Sequence, residues 1–434
     1  MLATPALFLP SLSCTFQQFI MKRIFSQILT GVAATLILFS CEESEPLDRE
    51  PQKVVLHKKA AEIIKADNEF GFELFCEVVA LSEQANILIS PLSVSYALGM
   101  TYNGAAGSTL EAFSNVLHFD GLTTEEVNES YKDLVDQILN LDDKVDLSVA
   151  NSIWYRDDFQ VLEEFIETNI NYFNAEVSEI DFSDPETVHV INQWIENNTE
   201  GKIKEMLDYI PVDAVMYLIN AIYFNAKWKY EFSKSDTYQG DFFLSNGGTH
   251  QVDYMKVSGN FSYTSNEYFS AVELPYGDSA YSMVVCLPYQ DTDIADLVTI
   301  MNVSNWDTWF EDSNMRSVQI DLPKFKYGFK DLLNDPLKNL GLEVAFVPME
   351  ADFSGINPVE DLYISRVIHQ SFIDVQEKGT EAAAATIVEV KNFAAGGGGT
   401  PILFKAERPF LYLIKENSTG AILFIGKVGK PEYR

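Results

Sequence analysis

Residues 216–224, Met-Tyr-Leu-Ile-Asn-Ala-Ile-Tyr-Phe, are apolar almost without interruption. A run of this kind belongs to a strand covered on both faces, hence to the interior of a sheet. Asn220 lies in its middle, and a buried amide has to be hydrogen-bonded. The flanking pattern supplies covering layers. His57 to Ala80 carries Ile63, Ile64, Phe70, Leu74, Phe75 and Val78 at helical spacing. Ser90-Pro91 is a good N-cap followed by a first-turn proline, and opens a second helix with Ala97, Leu98 and Met100 inward. Further helices are expected over 124–140, which is acidic on its outer side, and over 161–173, 186–198 and 332–340. Strands are expected over 147–154, 317–322, 364–375, 410–414 and 421–425, with several more between 241 and 287. Large sheets with few βαβ repeats define an α+β fold.

A second stretch, Glu377 to Thr400, reads two ways. Ala382, Ala383, Ala384 and Ala385 favour a helical turn, because alanine is the best helix former. Yet Thr380, Ala382, Ala384, Thr386, Val388 and Val390 alternate as small or apolar residues, which describes a strand with one buried face. Gly396 to Gly399 follow as a flexible loop. The segment is compatible both with life outside the fold and with a strand slot inside it.

The front of the chain is a targeting region. Residues 1–20 read as a mis-assigned start and 21–40 as a signal peptide: Lys22 and Arg23 precede an apolar stretch from Ile24 to Phe39. Leu38-Phe39-Ser40-Cys41 resembles a bacterial lipobox, which implies cleavage before Cys41 and lipidation of its thiol; plain secretion with cleavage nearby is the alternative. Residues 41–56 form an acidic tether, and Glu42-Glu43-Ser44-Glu45 resembles the surface-export signals of Bacteroidetes-type lipoproteins. The expected location is an outer-membrane lipoprotein, surface-exposed or periplasmic, touching the membrane only through its lipid.

About 375 residues remain, a length for which generic scaling gives two domains, although no linker interrupts 57–395. The net charge of −34, from 30 basic and 64 acidic residues, argues against nucleic acid and against anionic membrane surfaces. Cys76 and Cys286 read as inert buried thiols, with a disulfide between them as the alternative outside the cytoplasm. No G-x-S-x-G, H-E-x-x-H or phosphate-loop pattern occurs, and Asp291-x-Asp293 lacks the remainder of a calcium loop. The five histidines (His57, His118, His189, His250 and His369) lack metal spacing, so neither a metal nor a cofactor is expected. His369, in a strand, reads as a hydrogen-bonded core residue.

Several blocks, in chain order over roughly 60–434, resemble the serpin family. They are Asn86-Ile-Leu-Ile-Ser90-Pro91-Leu-Ser93; Ile191-Asn192-x-Trp194 with Thr199-Glu200-Gly201-Lys202-Ile203; Asn220-Ala221-Ile222-Tyr223-Phe224-x-Ala226-x-Trp228; Leu322-Pro323-Lys324; Asp352-Phe353-Ser354-Gly355; and Arg408-Pro409-Phe410. The stretch Glu377, Lys378, Gly379, Thr380, Glu381 and Ala382–Ala385 is similar to the family's hinge, within a reactive-centre loop over 377–407. The resemblance implies one domain over 57–434 with three β-sheets, eight or nine helices and an exposed loop. It implies a suicide inhibitor of serine proteases, with cysteine proteases as a further class, and not an enzyme. A protease cleaves the loop, the loop inserts as a strand, and the tethered acyl-enzyme is distorted. A non-inhibitory carrier or structural serpin is the alternative. Such members carry charge, proline or bulk at inward hinge positions, and none occurs here.

By the same resemblance, Ser90, Ser93, Asn220 and His369 form a polar cluster beneath the main sheet (the shutter). Lys324, Glu377 and Trp228 mark the site of first loop entry (the breach). Family spacing from Glu377 puts the scissile bond at Phe393–Ala394, with Lys391, Asn392 and Ala395 as alternative cleavage positions. Counting back from Arg408-Pro409-Phe410 puts it later, among the glycines, because the loop is long. Inserted length sets the trap, so the hinge count is the one adopted. Phe393 suits chymotrypsin- or cathepsin G-like proteases, and Ala394 and Ala395 suit elastase-like ones, each held as a covalent complex with a monomeric inhibitor.

Overall fold

The computed structural model describes residues 51–56, 59–359, 361–380 and 400–433, which belong to one compact unit, Glu50–Arg434. The chain opens with α1 (Ala60–Leu81), β1 (Asn86–Ile89), α2 (Pro91–Tyr102), α3 (Gly107–Val116) and α4 (Thr124–Ile138). It continues through β2 (Val145–Arg156), α5 (Glu163–Phe173), β3 (Ala175–Ile180), α6 (Thr187–Asn198) and β4 (Met216–Lys227). Four antiparallel strands follow: β5 (Tyr238–Phe243), β6 (Thr249–Ser265), β7 (Phe269–Pro275) and β8 (Tyr281–Pro288). Then come α7 (Ile294–Thr299), α8 (Val303–Phe310), β9 (Asn314–Pro323), β10 (Phe325–Leu332) and α9 (Asn334–Leu337). The last strands are β11 (Ile368–Gln376), β12 (Gly379–Thr380), β13 (Ile402–Lys405), β14 (Phe410–Glu416) and β15 (Ile422–Val428).

A six-stranded sheet has the order β10-β11-β12-β4-β2-β3, so β4 is interior, as its composition requires. The nine-stranded sheet runs β1-β15-β14-β8-β7-β6-β9-β13, with β5 added on β6. Two of the expected three sheets therefore share one ladder. The bridge between them is β6, which pairs β5 near its start, β7 near its end and β9 along most of its length. Nine α-helices lie among the described residues.

Helix α2 connects the two sheets. Ser90 caps it by accepting from the Ser93 amide at 3.2 Å, and Pro91 occupies the first turn. Every residue of the helix except Ala97 is buried, as expected for a helix with apolar contacts on all sides. It packs on β4 and on β15, and so delivers Ser90 and Ser93 to the back of the six-stranded sheet. The outer helix α4 begins with a full capping box between Thr123 and Glu126.

Some elements depart from the sequence pattern. β10 was not anticipated, because Lys326, Gly328, Lys330 and Asp331 dilute its apolar face. Nor were α3, α7 and α8. The helix expected over 332–340 is a four-residue α9 that passes through a break at Gly341, φ 114°, into a short 3-10 turn. The strand expected from 364 starts at Ile368. Full burial of β4 holds for Ala221–Phe224, whereas Met216, Tyr217 and Leu218 are half-buried beside a cavity. Cys76 and Cys286 are free thiols, not a disulfide. Cys286 is buried, and Cys76 is half-buried with its thiol on the Val298 carbonyl at 2.9 Å.

One core group is a proton trap. Asp67 of α1 is buried, its Oδ1 accepts the Tyr131 hydroxyl of α4 at 2.7 Å, and Oδ2 has no hydrogen-bond partner among the described residues. Burial raises its pKa to about 7, only partly opposed by the bond from the Tyr131 hydroxyl. Because the folded state binds this proton more tightly than the unfolded chain, Asp67 disfavours folding progressively as pH rises from about 4 to about 7. Asp67→Asn keeps an acceptor for Tyr131 and removes the charge. It should raise the melting temperature at pH 8 by about 2–4 °C and leave it nearly unchanged at pH 4, as read by differential scanning fluorimetry.

Candidate functional site

The sequence around residue 377 builds a tight reversal. β11 ends at Gln376, Glu377 and Lys378 turn, and β12 runs back beside it, with Val375 opposite Thr380 and Gln376 opposite Gly379. The other edge of β12 pairs with β4, Gly379 opposite Lys227 and Thr380 opposite Ala226. Among the described residues, β11 and β4 are joined only through these two residues. Gly379 is required there. Its φ is 156°, and a Cβ would lie 2.0 Å from the Ala226 carbonyl oxygen.

Trp228, at the end of β4, holds the reversal by its backbone and its ring. Its amide donates to the Lys378 carbonyl at 3.0 Å and its indole Nε1 to the Gln376 carbonyl at 2.9 Å. The amide of Phe232 donates to the Glu377 carbonyl at 2.9 Å. The indole stacks on Tyr276 with centroids 4.4 Å apart and planes 12° apart. These bonds satisfy three consecutive carbonyls of the turn, which would otherwise be costly to bury.

Glu377 is buried and makes an ion pair with Lys324 at 3.1 Å, while its Oε1 accepts from Thr237 at 3.0 Å. Burial opposes its charge. The backbone amide, Lys324 and Thr237 together outweigh that, so the carboxyl sits below its usual range. Lys324 lies between β9 and β10, and its ammonium also sits 4.2 Å from the ring centroid of Tyr433, near the C-terminus. Glu377, Lys324 and Trp228 thus meet at one end of the six-stranded sheet.

The second cluster lies midway along that sheet. Ser90 Oγ donates to the Leu423 carbonyl at 2.7 Å, and the Ser90 amide donates to Nε2 of His369 at 3.4 Å. Burial lowers the His369 pKa to about 4, only partly opposed by a hydrogen bond with the Leu88 backbone, so the ring is neutral. Ser93 Oγ donates to Asn220 Oδ1. Asn220 in turn donates to Asn151 Oδ1 at 2.7 Å, and Asn151 to the Phe173 carbonyl at 2.5 Å. Ser371 Oγ donates to the Leu88 carbonyl at 2.7 Å. The four residues expected from the sequence are brought together, and Asn151 and Ser371 join them.

Below β12, a cavity of about 720 Å³ lies between β4 and the segment leading into β11. Met216–Asn220 line one side, Ile364–Gln370 the other, and Ser93 and Ala97 of α2 the floor. Glu381–Ala385, Lys391, Asn392, Phe393, Ala394, Ala395 and Cys41 fall outside the described residues. Among the described residues, no group of three or more histidine, cysteine, aspartate or glutamate side chains is arranged to hold a metal, and no helix is long and apolar enough to cross a membrane.

Sequence reasoning missed Tyr276, Thr237 and Asn151. Tyr276 meets Thr380 across 104 positions of sequence and lies in a Pro-Tyr-Gly turn, with no local pattern to single it out. Asn151 carried the one readable signal, an amide in a strand that could pair with Asn220, but the β2–β4 register that puts them opposite is a long-range property.

Comparison with known proteins identifies the family of the chain. Residues 65–431 match the family model described as Serpin (serine protease inhibitor). An uncharacterized serpin-like protein of Methanosarcina acetivorans is 37% identical over 378 residues, covering 86% of this chain and 88% of the relative. Leukocyte elastase inhibitor A of Rattus norvegicus is 33% identical over 388 residues, covering 85% and 100%. The crystal structure of tengpin, a thermophilic serpin, in its native state superposes with a TM-score of 0.79 at 32% identity, covering 88% and 97%.

The ion pair generates a test. Lys324→Met leaves Glu377 buried without its cation and should destabilise the reversal by about 1–3 kcal/mol. Hydrogen exchange at the amides of Trp228 and Phe232 reads this locally and should accelerate at pH 7. Because the Glu377 pKa is lowered in the fold, the pair's contribution is present at neutral pH and vanishes as pH falls through the folded value. The difference between variant and parent should therefore shrink in acid.

Proposed function

The chain belongs to the serpin family, and from that premise we propose that it inhibits serine proteases as a suicide substrate. Serpins are protease inhibitors rather than catalytic enzymes, and relatives of this chain include a leukocyte elastase inhibitor. The observation that carries the proposal is the place of β12. The first two residues of the hinge strand already stand between β11 and β4, which are otherwise unjoined among the described residues.

Continuing this strand explains the alternation of the hinge. Thr380 is buried with its side chain inward, so Ala382, Ala384, Thr386, Val388 and Val390 would follow on that face. Six residues on from Thr380 is Thr386; six residues back from Ala226 and Val375 are Asn220 and His369. The inserted strand would therefore bring a threonine hydroxyl level with the polar cluster. From Thr380 to Phe393 it would span about 45 Å.

The chemistry requires nothing further from this chain than a good substrate. The protease's serine Oγ attacks the carbonyl of Phe393, and the C–N bond to Ala394 breaks. A proton passes to the new amine of Ala394, and an ester joins the protease to the carboxyl of Phe393. Insertion then carries that ester away before water resolves it. The class of protease follows from the side chains offered: chymotrypsin- or cathepsin G-like at Phe393, elastase-like at Ala394 and Ala395, trypsin-like at Lys391. Bonds among Gly396–Gly399 offer no side chain to a specificity pocket.

Mixing with chymotrypsin should give a covalent complex that survives denaturing electrophoresis, and the released C-terminal peptide should begin at Ala394. A peptide beginning at Gly397 or later would refute the hinge register. Thr380→Arg should turn the protein into a cleaved substrate, because a buried unpaired guanidinium costs several kcal/mol on insertion. The proposal extends to location: a monomer tethered through Cys41 in the outer membrane, surface-exposed or periplasmic. Mass spectrometry of the mature N-terminus should find diacylglyceryl cysteine at Cys41, and an unmodified terminus elsewhere would rule the anchor out.

A further inference from the structure

Tyr276 lies outside the sequence blocks named above, yet it touches Thr380, the second residue of β12. It is buried just after β7, with its hydroxyl 2.6 Å from Oγ1 of Thr380. One face of its ring stacks on Trp228, and the edge of Phe224 packs against it with centroids 5.3 Å apart. A phenol held this way has little rotational freedom. The position of its oxygen is set by the sheet, not by the loop.

We propose that Tyr276 is a positioning residue for loop entry: its fixed hydroxyl selects a hydroxyl side chain at 380 and so pins the register in which the loop enters between β11 and β4. The inference rests on the insertion reading above. Its physical basis is the cost of stranding a buried donor. In the observed register the pair satisfies itself. A slip of the hinge by two residues, which keeps the same face inward, would set Ala382 or Lys378 against the phenol. Alanine offers no partner, and lysine would bring a charge into the core. Gly379 reinforces the choice, because only a residue without a Cβ fits against the Ala226 carbonyl. Glycine at 379 and a hydroxyl at 380 act together as a two-residue key. Inserted length is counted from this point, so the pin also fixes how far a bound protease is carried.

The test is a double-mutant cycle with Tyr276→Phe and Thr380→Val, each of which removes one hydroxyl at nearly constant shape. Two readouts are taken: the stoichiometry of inhibition of chymotrypsin, and the thermal midpoint of the uncleaved protein. Each single variant should raise the stoichiometry about two- to tenfold, since cleaved but unregistered loops leave as substrate, and should lower the midpoint. The double variant should do no more than either single one, and Thr380→Ser should behave as the parent with Tyr276 present. Independent, multiplying effects would overturn the proposal, as would parental behaviour of both single variants. A merely structural tyrosine would give a loss in Tyr276→Phe that is insensitive to the residue at 380, which also overturns it. If the parent itself traps no protease, the inhibitory reading fails. The midpoints of the cycle then decide the pin: coupled losses support it and additive losses overturn it.

Discussion

The six-stranded sheet is closed at one end by two residues. Gly379 and Thr380 make the rungs to β11 on one side and to β4 on the other. Everything that stabilises them converges from elsewhere in the chain: Trp228 from the end of β4, Lys324 from between β9 and β10, Tyr276 from the end of β7, Tyr433 from the C-terminus. A two-residue strand has almost no ladder of its own. Its place depends on side chains that are themselves held by large, well-formed sheets, so the junction is strong in its supports and minimal in its own length. In the proposed reaction β12 would be extended, and the supports would stay fixed while the number of rungs grows.

The polar cluster midway along the sheet solves a related problem. A sheet that admits a strand, as the proposed reaction requires, has to part where α2 packs beneath it. An apolar contact would open without any polar group being stranded, but it would also specify no position. Here Ser90, Ser93, Asn151, Asn220, Ser371 and His369 bond mainly to one another and to carbonyls of β1, β15 and α5, not to a rung between β4 and β11. Separating the two strands therefore need not leave these groups unsatisfied all at once. The neutrality of His369 matters in the same way, because a buried imidazolium in this place would demand a counter-charge that the cluster lacks.

Much of this was legible from residue patterns. The apolar run 216–224 gave an interior strand and Ser90-Pro91 gave the start of α2, while the alternation beyond Thr380 falls outside the described residues. The blocks led to Glu377, Lys324, Trp228 and the four polar residues, which the fold brings into two clusters. What stayed hidden was whatever depends on register between distant strands. The fusion of two sheets through β6 is one case: a 17-residue strand changes partners along its length without any change in its own pattern. Tyr276 and Asn151 are others, ordinary residues whose meaning comes from what lies opposite. β10 was hidden for another reason, since its polar residues face a half-exposed surface and blur the period of two.

The two ends of the loop are held unequally, and this decides which half can move after a cut. On the far side, the chain re-enters the nine-stranded sheet at once, Ile402–Lys405 pairing with Val318–Asp321 of β9. It then passes Arg408, whose Nε donates to the Pro288 carbonyl at 2.8 Å, into β14. That half is already paired: β13 is an edge strand on β9, and β14 lies between β15 and β8. On the near side, the chain leaves through β12, with a cavity beyond and two strand edges that share no direct rung among the described residues. In the proposed reaction, cleavage between the two would free the near half to add rungs and leave the far half where it is. Acyl transfer attaches a protease to the new carboxyl, and that carboxyl ends the near half. The fragment that bears the ester is thus the one that the architecture allows to travel. In the proposed reaction, the chemistry of a serine protease and the asymmetry of these two anchorages select the same piece of chain.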